Sequence, residues 1–117
     1  MKEVLVCGGR EFNDWTLLHD SLRKLTIDTI VNGAARGADR MSSKYAEQYG
    51  INQILFPANW TKYNKAGGYH RNIMMIERTK PDVVIAFPGG KGTEMMIDIA
   101  KMGGYKVWQP ALDANEY

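Results

Sequence analysis

A glycine-rich run, Phe87-Pro88-Gly89-Gly90-Lys91-Gly92-Thr93-Glu94, separates two stretches of opposite character. Before it, Val83-Val84-Ile85-Ala86 is a short, wholly apolar segment of the kind that forms a buried strand. After it, Met95-Met96-Ile97-Asp98-Ile99-Ala100 has helical composition. The run therefore joins a strand's C-terminal end to a helix N-terminus. There the first backbone N–H groups lack intrahelical acceptors and the helix dipole is positive. Glycines let an anion approach those donors, so the turn is a candidate phosphate cradle. Taken alone, it is equally a turn that needs glycine for its backbone angles.

The rest of the chain repeats the arrangement. Lys2 to Cys7 reads as a buried strand ending in Gly8-Gly9-Arg10. Asn13 or Asp14 can cap a helix carrying Trp15, Leu18, Leu22 and Leu25 at helical spacing. Ile27 to Val31 is a second strand, ending in Asn32-Gly33-Ala34-Ala35-Arg36-Gly37-Ala38-Asp39, and a second helix runs on to a stop at Gly50. Ile51 to Phe56 is a third strand closed by Pro57. Ala58 to Gly68 is polar and aromatic and reads as a surface loop, a candidate lid. A helix over His70 to Arg78 ends at Lys80-Pro81, and Tyr105 to Trp108 is a last strand before a short mobile tail over Pro110 to Tyr117. Short apolar strands alternating with helices predict an α/β three-layer Rossmann-like sandwich. Its sheet has about five strands, mostly parallel, with helices on both faces.

In such a sheet ligands bind beyond the C-terminal strand ends, where the strand order reverses. Three strand ends carry glycine: Gly8-Gly9, Gly33 with Gly37, and Gly89-Gly90 with Gly92. If those strands are neighbours, the three turns share one crevice, which strengthens the case for a phosphate-bearing ligand. At 117 residues the chain fits one domain over positions 1–117, and its formal charge of +2 is too small to argue for nucleic acid by itself. Cys7 is the only cysteine and lies in an apolar run, so it reads as a small buried hydrophobe. His19 and His70 stand alone, and no metal site is expected. With no signal-like N-terminus and no membrane-length apolar run, a cytoplasmic setting without membrane contact is expected.

The turns match neither G-x-G-x-x-G, nor G-x-x-x-x-G-K-[ST], nor the G-x-S-x-G elbow. In order, Val6-Cys7-Gly8-Gly9-Arg10, Asn32-Gly33-Ala34-Ala35-Arg36-Gly37-Ala38-Asp39, Arg71-Asn72 and Phe87-Pro88-Gly89-Gly90-Lys91-Gly92-Thr93 do resemble one group. It is the SLOG superfamily, in its small single-domain branch related to the YspA and YpsA proteins. The resemblance spans Lys2 to about Trp108 and implies a Rossmann-like sheet that binds a nucleotide or nucleotide-derived ligand. Related LOG proteins are phosphoribohydrolases that cleave nucleotide N-glycosidic bonds, with a motif similar to P-G-G-x-G-T-x-x-E and an assisting upstream arginine. Arg71 occupies the comparable arginine position. Met95 and Met96 stand where that motif places its carboxylates, and Glu94 comes too early. LOG relatives pair through helices of this region, which implies a homodimer.

The candidate ligand residues follow from the turns and the resemblance together. Gly89, Gly90, Gly92 and Thr93, with Pro88 before them, form the cradle, and Lys91 adds charge. Gly8, Gly9 and Arg10 form the opposing wall; Arg10 either grips phosphate or pairs with Glu11 or Asp14. Arg36 and Asp39 flank Gly37 and are expected to pair with each other. Asn32 can offer donor and acceptor to a base or sugar, Gly33 belongs to the same turn, and Arg71 and Asn72 close the site from a helix start. The methionines 74, 75, 95, 96 and 102 read as core or subunit interface rather than as ligand contacts. The leading reading is a nucleotide-binding sensor or nucleotide-metabolism module, with no certain cofactor. One alternative is N-glycosidic cleavage or transfer using Arg71 and Glu94 or Asp98. Another is single-stranded nucleic-acid binding through Trp60, Tyr63 and Tyr69 with Lys62, Lys65 and Arg71.

Overall fold

The strand β1 (Lys2–Cys7) shows how the sheet is built. Successive strand side chains point to opposite faces, and both faces here are apolar. Val4 and Val6 enter one core layer; Leu5 and Cys7 enter the other. A strand buried on both sides needs helices above and below it, and the chain supplies them. In the computed structural model, which describes residues 2–63 and 66–112, α1 (Trp15–Arg23) and α2 (Ala38–Tyr49) cover the first layer. The helices α4 (Gly67–Thr79) and α5 (Lys91–Met102) cover the second. The remaining strands are β2 (Ile27–Asn32), β3 (Asn52–Leu55), β4 (Val83–Ala86) and β5 (Val107–Trp108), and α3 (Trp60–Tyr63) is a single turn.

All strand pairs are parallel, in the order β3-β2-β1-β4-β5. The expected Rossmann-like sandwich is therefore the observed architecture. The chain runs outward from β1 to β3 on one side, then crosses back to β4 on the other. The switch point lies between β1 and β4, and the C-terminal ends of β2, β1 and β4 are adjacent. Those are the three ends that carry glycine.

Local chemistry sets the element ends. Asp14 caps α1, its Oδ1 accepting from the Leu17 N–H at 3.0 Å. Gly50 ends α2 in the left-handed region at φ 65° and donates to the Ala46 carbonyl. Two expectations change. The segment Ala58 to Gly68 is not all loop: Asn59 Oδ1 accepts from the Lys62 N–H at 2.9 Å and closes the single turn α3, while α4 begins at Gly67. The Gly67-Gly68 pair serves packing, since a Cβ at Gly67 would stand 2.9 Å from Cε3 of Trp60 and one at Gly68 3.3 Å from its Cη2. The last strand is only Val107–Trp108. The expected tail lies outside the described residues after Leu112. Among the described residues no helix is long and apolar enough to cross a membrane.

Candidate functional site

Gly9 ties the three turns together. Its N–H donates to the Pro88 carbonyl at 2.9 Å, and its carbonyl accepts from the N–H groups of Phe12 and Ala38, both at 3.2 Å. The approach is so close that a Cβ at Gly9 would lie 3.0 Å from the Gly89 Cα. One at Gly89 would lie 2.6 Å from the Gly9 nitrogen and 2.2 Å from Thr93 Oγ1. These glycines are explained by packing. Gly90 and Gly92 are not: a Cβ at either meets nothing within 4 Å, and neither has a positive φ. Gly90 is the N-cap of α5, and the first intrahelical bond runs from the Glu94 N–H to the Gly90 carbonyl at 3.0 Å. The amides of Lys91, Gly92 and Thr93 precede that bond and point toward the strand ends, at the positive end of the helix.

Opposite this helix start, Arg71 reaches across from α4. Its Nη1 donates to the Gly33 carbonyl at 2.6 Å and its Nε to Asn72 Oδ1 at 2.9 Å, while Asn72 Nδ2 donates to the Gly92 carbonyl at 3.4 Å. One arginine–asparagine pair thus bridges the turns after β2 and β4. Asp39, at the start of α2, accepts from the Ala35 N–H at 3.2 Å. Burial pushes its pKa up to about 6, against the pull of the Ala35 and Gly33 amides and the charges of Arg71 and Arg10. Burial also lowers the pKa of Arg71, an effect that Asp39 opposes and Arg10 adds to. Cys7 lies at the floor with its thiol pushed well up by burial, so it is an apolar lining group.

Together these groups bound a crevice of about 550 Å³, a size typical of small-ligand sites. Its floor is Cys7, Met75, Met95 and Met96; its polar groups are Arg10, Asp39, Arg71, Asn72, Lys91 and Thr93; Trp60 and Tyr69 stand at the rim. Arg10 lies 5.7 Å from the centre of the Trp60 ring, a cation–π distance. One end of the crevice is cationic, the floor is apolar, and the rim is aromatic. That division suits a molecule with an anionic end and a flat apolar body. Among the described residues no group of three His, Cys, Asp or Glu is placed to hold a metal ion.

The model of the YspA, cpYpsA-related SLOG family (YAcAr) matches residues 2–63. The "Gene 61 protein" of Mycobacterium phage D29 is 34% identical over 119 aligned residues, which cover 92% of this chain and 94% of the phage protein. The chain belongs to the YAcAr family of SLOG proteins.

In this YAcAr protein the crevice brings together Gly8, Gly9, Arg10, Asp39, Arg71, Asn72, Gly90, Lys91, Gly92 and Thr93. Pro88 and Gly89 lie behind the lining and hold the turn, while Gly33 and Arg36 line a neighbouring cavity. Gly37 sits at φ 79° with the Gly9 carbonyl where its Cβ would be, so its place is conformational. Arg36 does not pair with Asp39 as expected. It pairs with Glu11 at 2.7 Å, because Asp39 turns inward to the Ala35 amide. Asn32 is fully buried and its amide is used internally: Nδ2 donates to the Asp39 carbonyl and to the Ser42 and Ser43 hydroxyls, and Oδ1 accepts from the Ala34 N–H. Arg71 and Asn72 lie a full turn inside α4, not at its start.

Glu94 is exposed and outside the lining; Asp39 is the one carboxylate lining the crevice among the described residues. Met75 and Met96 are core, as expected, and with Met95 they also line the crevice, whereas Met102 is 88% exposed. Sequence reasoning missed that floor, although the 3.6-residue period of α5 puts Met96 on the face that also carries Thr93 and Ala100. Tyr63 stacks on His70 at 3.8 Å between ring centres, and Lys65 lies outside the described residues.

Proposed function

We propose that this YAcAr protein binds a nucleotide or nucleotide-derived phosphate ligand in the crevice, as a sensor or as a module of nucleotide metabolism. The observation that carries this reading is the pair Gly90 and Gly92. Neither packing nor a positive φ requires glycine at either position, and at Gly92, inside α5, glycine costs about 0.5–1 kcal/mol relative to alanine. What glycine leaves is open space over three unpartnered amides at a helix N-terminus, facing Arg71 and Arg10. A phosphate fits that space and charge. The base then lies over the methionine floor, beneath Trp60 and Tyr69.

The test is calorimetry and thermal shift with a panel of nucleotides, cyclic nucleotides and ADP-ribose derivatives, on the wild type and on Gly90→Asp. An aspartate at the N-cap accepts from the amides of the first helical turn and supports α5, so the variant should melt within a few degrees of the wild type. Its carboxylate occupies the phosphate position and repels the ligand, so affinity should fall about a hundredfold or more. No response to any phosphate compound, or full binding by Gly90→Asp, overturns the reading.

Turnover is not part of the proposal. The carboxylates that an N-glycosidase would need beside the sugar, Glu94 or Asp98, are exposed and do not line the crevice. Release of free base from a nucleoside monophosphate panel would reverse that judgement. We take the working form to be a cytoplasmic homodimer, as the likeness to LOG proteins implies, which light scattering would test.

A further inference from the structure

A second cavity, of about 410 Å³, adjoins the crevice on the β2 side. The two share Arg10, Trp60, Arg71 and Ala35 as a common wall. Four of the groups lining the second cavity are arginines: Arg10, Arg36, Arg40 and Arg71. No carboxylate lines it among the described residues. Among the described residues the one ion pair touching the set is Arg36 with Glu11, whose side chains are 62% and 87% exposed, and exposed pairs of that kind hold little energy. A chain with a net charge of only +2 has thus gathered four guanidinium groups around one hollow.

Arg71 and Arg10 have internal partners in the Gly33 carbonyl, Asn72, the Trp60 ring and the nearby charge of Asp39, but the positions of Arg36 and Arg40 are not favoured by the helix they border. Arg36 stands just before the N-cap Gly37, and Arg40 is in the first turn of α2. Both are cations where the helix dipole favours anions. No side chain caps this helix. Ala34, on the same wall, holds φ 58°, a left-handed conformation that costs a non-glycine residue about 1–2 kcal/mol. Like charges, a reversed dipole preference and local strain converge where an anion would relieve the first two.

We propose that this cavity is a second anion subsite, and that the ligand is a free nucleotide bearing two separate phosphate-type groups, one on each side of Trp60. This rests on the nucleotide reading of the first crevice. The first anion sits on the α5 amides and the second between Arg36 and Arg40, with Arg10 and Arg71 facing both. Adjacent phosphates, as in a nucleoside diphosphate, stay within one cavity; phosphates held apart by a sugar reach both.

The test is calorimetry with the four nucleoside 5′-monophosphates, the matching 5′-diphosphates and 3′,5′-bisphosphates, and a short mixed-sequence DNA oligonucleotide. In the wild type the best bisphosphate should bind about tenfold or more tighter than its monophosphate, and the diphosphate should gain less. Arg40→Gln, an exposed change checked by its melting curve, should bring the bisphosphate-to-monophosphate ratio close to one. Monophosphate binding with no bisphosphate advantage, or an unchanged ratio in Arg40→Gln, overturns the second subsite and leaves the first reading standing. No binding by any nucleotide overturns both. An oligonucleotide that binds more tightly than every free nucleotide overturns the free-ligand source and assigns the two anions to a nucleic-acid strand.

Discussion

Asp39 is held where its charge is expensive. Folding buries it, and its pKa rises from the ordinary 3.8 to about 6 despite two arginines nearby. The direction fixes the pH dependence. Below about pH 4 the carboxyl is protonated in both folded and unfolded chains and contributes nothing to the difference. Between pH 4 and 6 the unfolded chain ionises first, so the folded state loses stability as pH rises. Above 6 the loss is complete, about 3 kcal/mol from a shift of 6 − 3.8 = 2.2. Asp39→Asn removes that loss and keeps an acceptor for the Ala35 N–H. In urea unfolding at pH 7.5 the variant should therefore be more stable than the wild type by about 1–3 kcal/mol, and the two should converge near pH 4. A variant less stable at pH 7.5 would show that Asp39 holds Arg71 in place more than it suffers from burial. The same ionisation places a negative charge beside the proposed phosphate. Wild-type affinity should thus tighten as pH falls through 6, and the variant's should not.

At the scale of elements, the strand–turn–helix units were legible because each is announced by two local signals at once. β1, β2 and β4 are apolar runs that end at glycine, and α1, α2 and α5 follow with periodic apolar positions. The segment after Pro57 was not legible. Its glycines resemble turn signals, whereas Gly67 and Gly68 open α4 and are small because the Trp60 indole lies against them. Likewise Asn32 carries the right chemistry for a ligand but lies buried behind the turn, a depth that sequence spacing does not encode. Trp60 is 47% exposed and contributes little core. If it covers the base, Trp60→Ala should weaken nucleotide binding by about 1–3 kcal/mol, the usual worth of one base–aromatic stack. Its unfolding midpoint in urea should hardly move. Unchanged affinity would reduce Trp60 to a partition between the two cavities.

Across the whole molecule, the sheet divides the apolar interior into two layers with different duties. The layer under α1 and α2 contains Leu18, Leu22, Ile30 and Ile85 and borders no part of the crevice floor. The layer under α4 and α5 contains Cys7, Met75 and Met96, and those same side chains form the floor. On the proposed nucleotide reading, stability and recognition should therefore be coupled on one face and separable on the other. Leu22 and Met96 are both essentially inaccessible, at 0% and 1%, so truncating either to alanine should cost about 2–5 kcal/mol. The consequences for binding should differ. Leu22→Ala lowers the unfolding free energy while the folded fraction binds nucleotide as before, since no lining group moves. Met96→Ala should deepen the crevice floor and, if the base lies there as proposed, remove contacts to it and weaken affinity as well. Met96→Leu, which restores most of the volume, should recover both stability and affinity. Measuring affinity per folded molecule, with urea midpoints alongside, separates the two effects. Equal binding losses from Leu22→Ala and Met96→Ala would mean that the sheet transmits damage across its thickness, and that the crevice depends on the fold as a whole rather than on the layer that lines it.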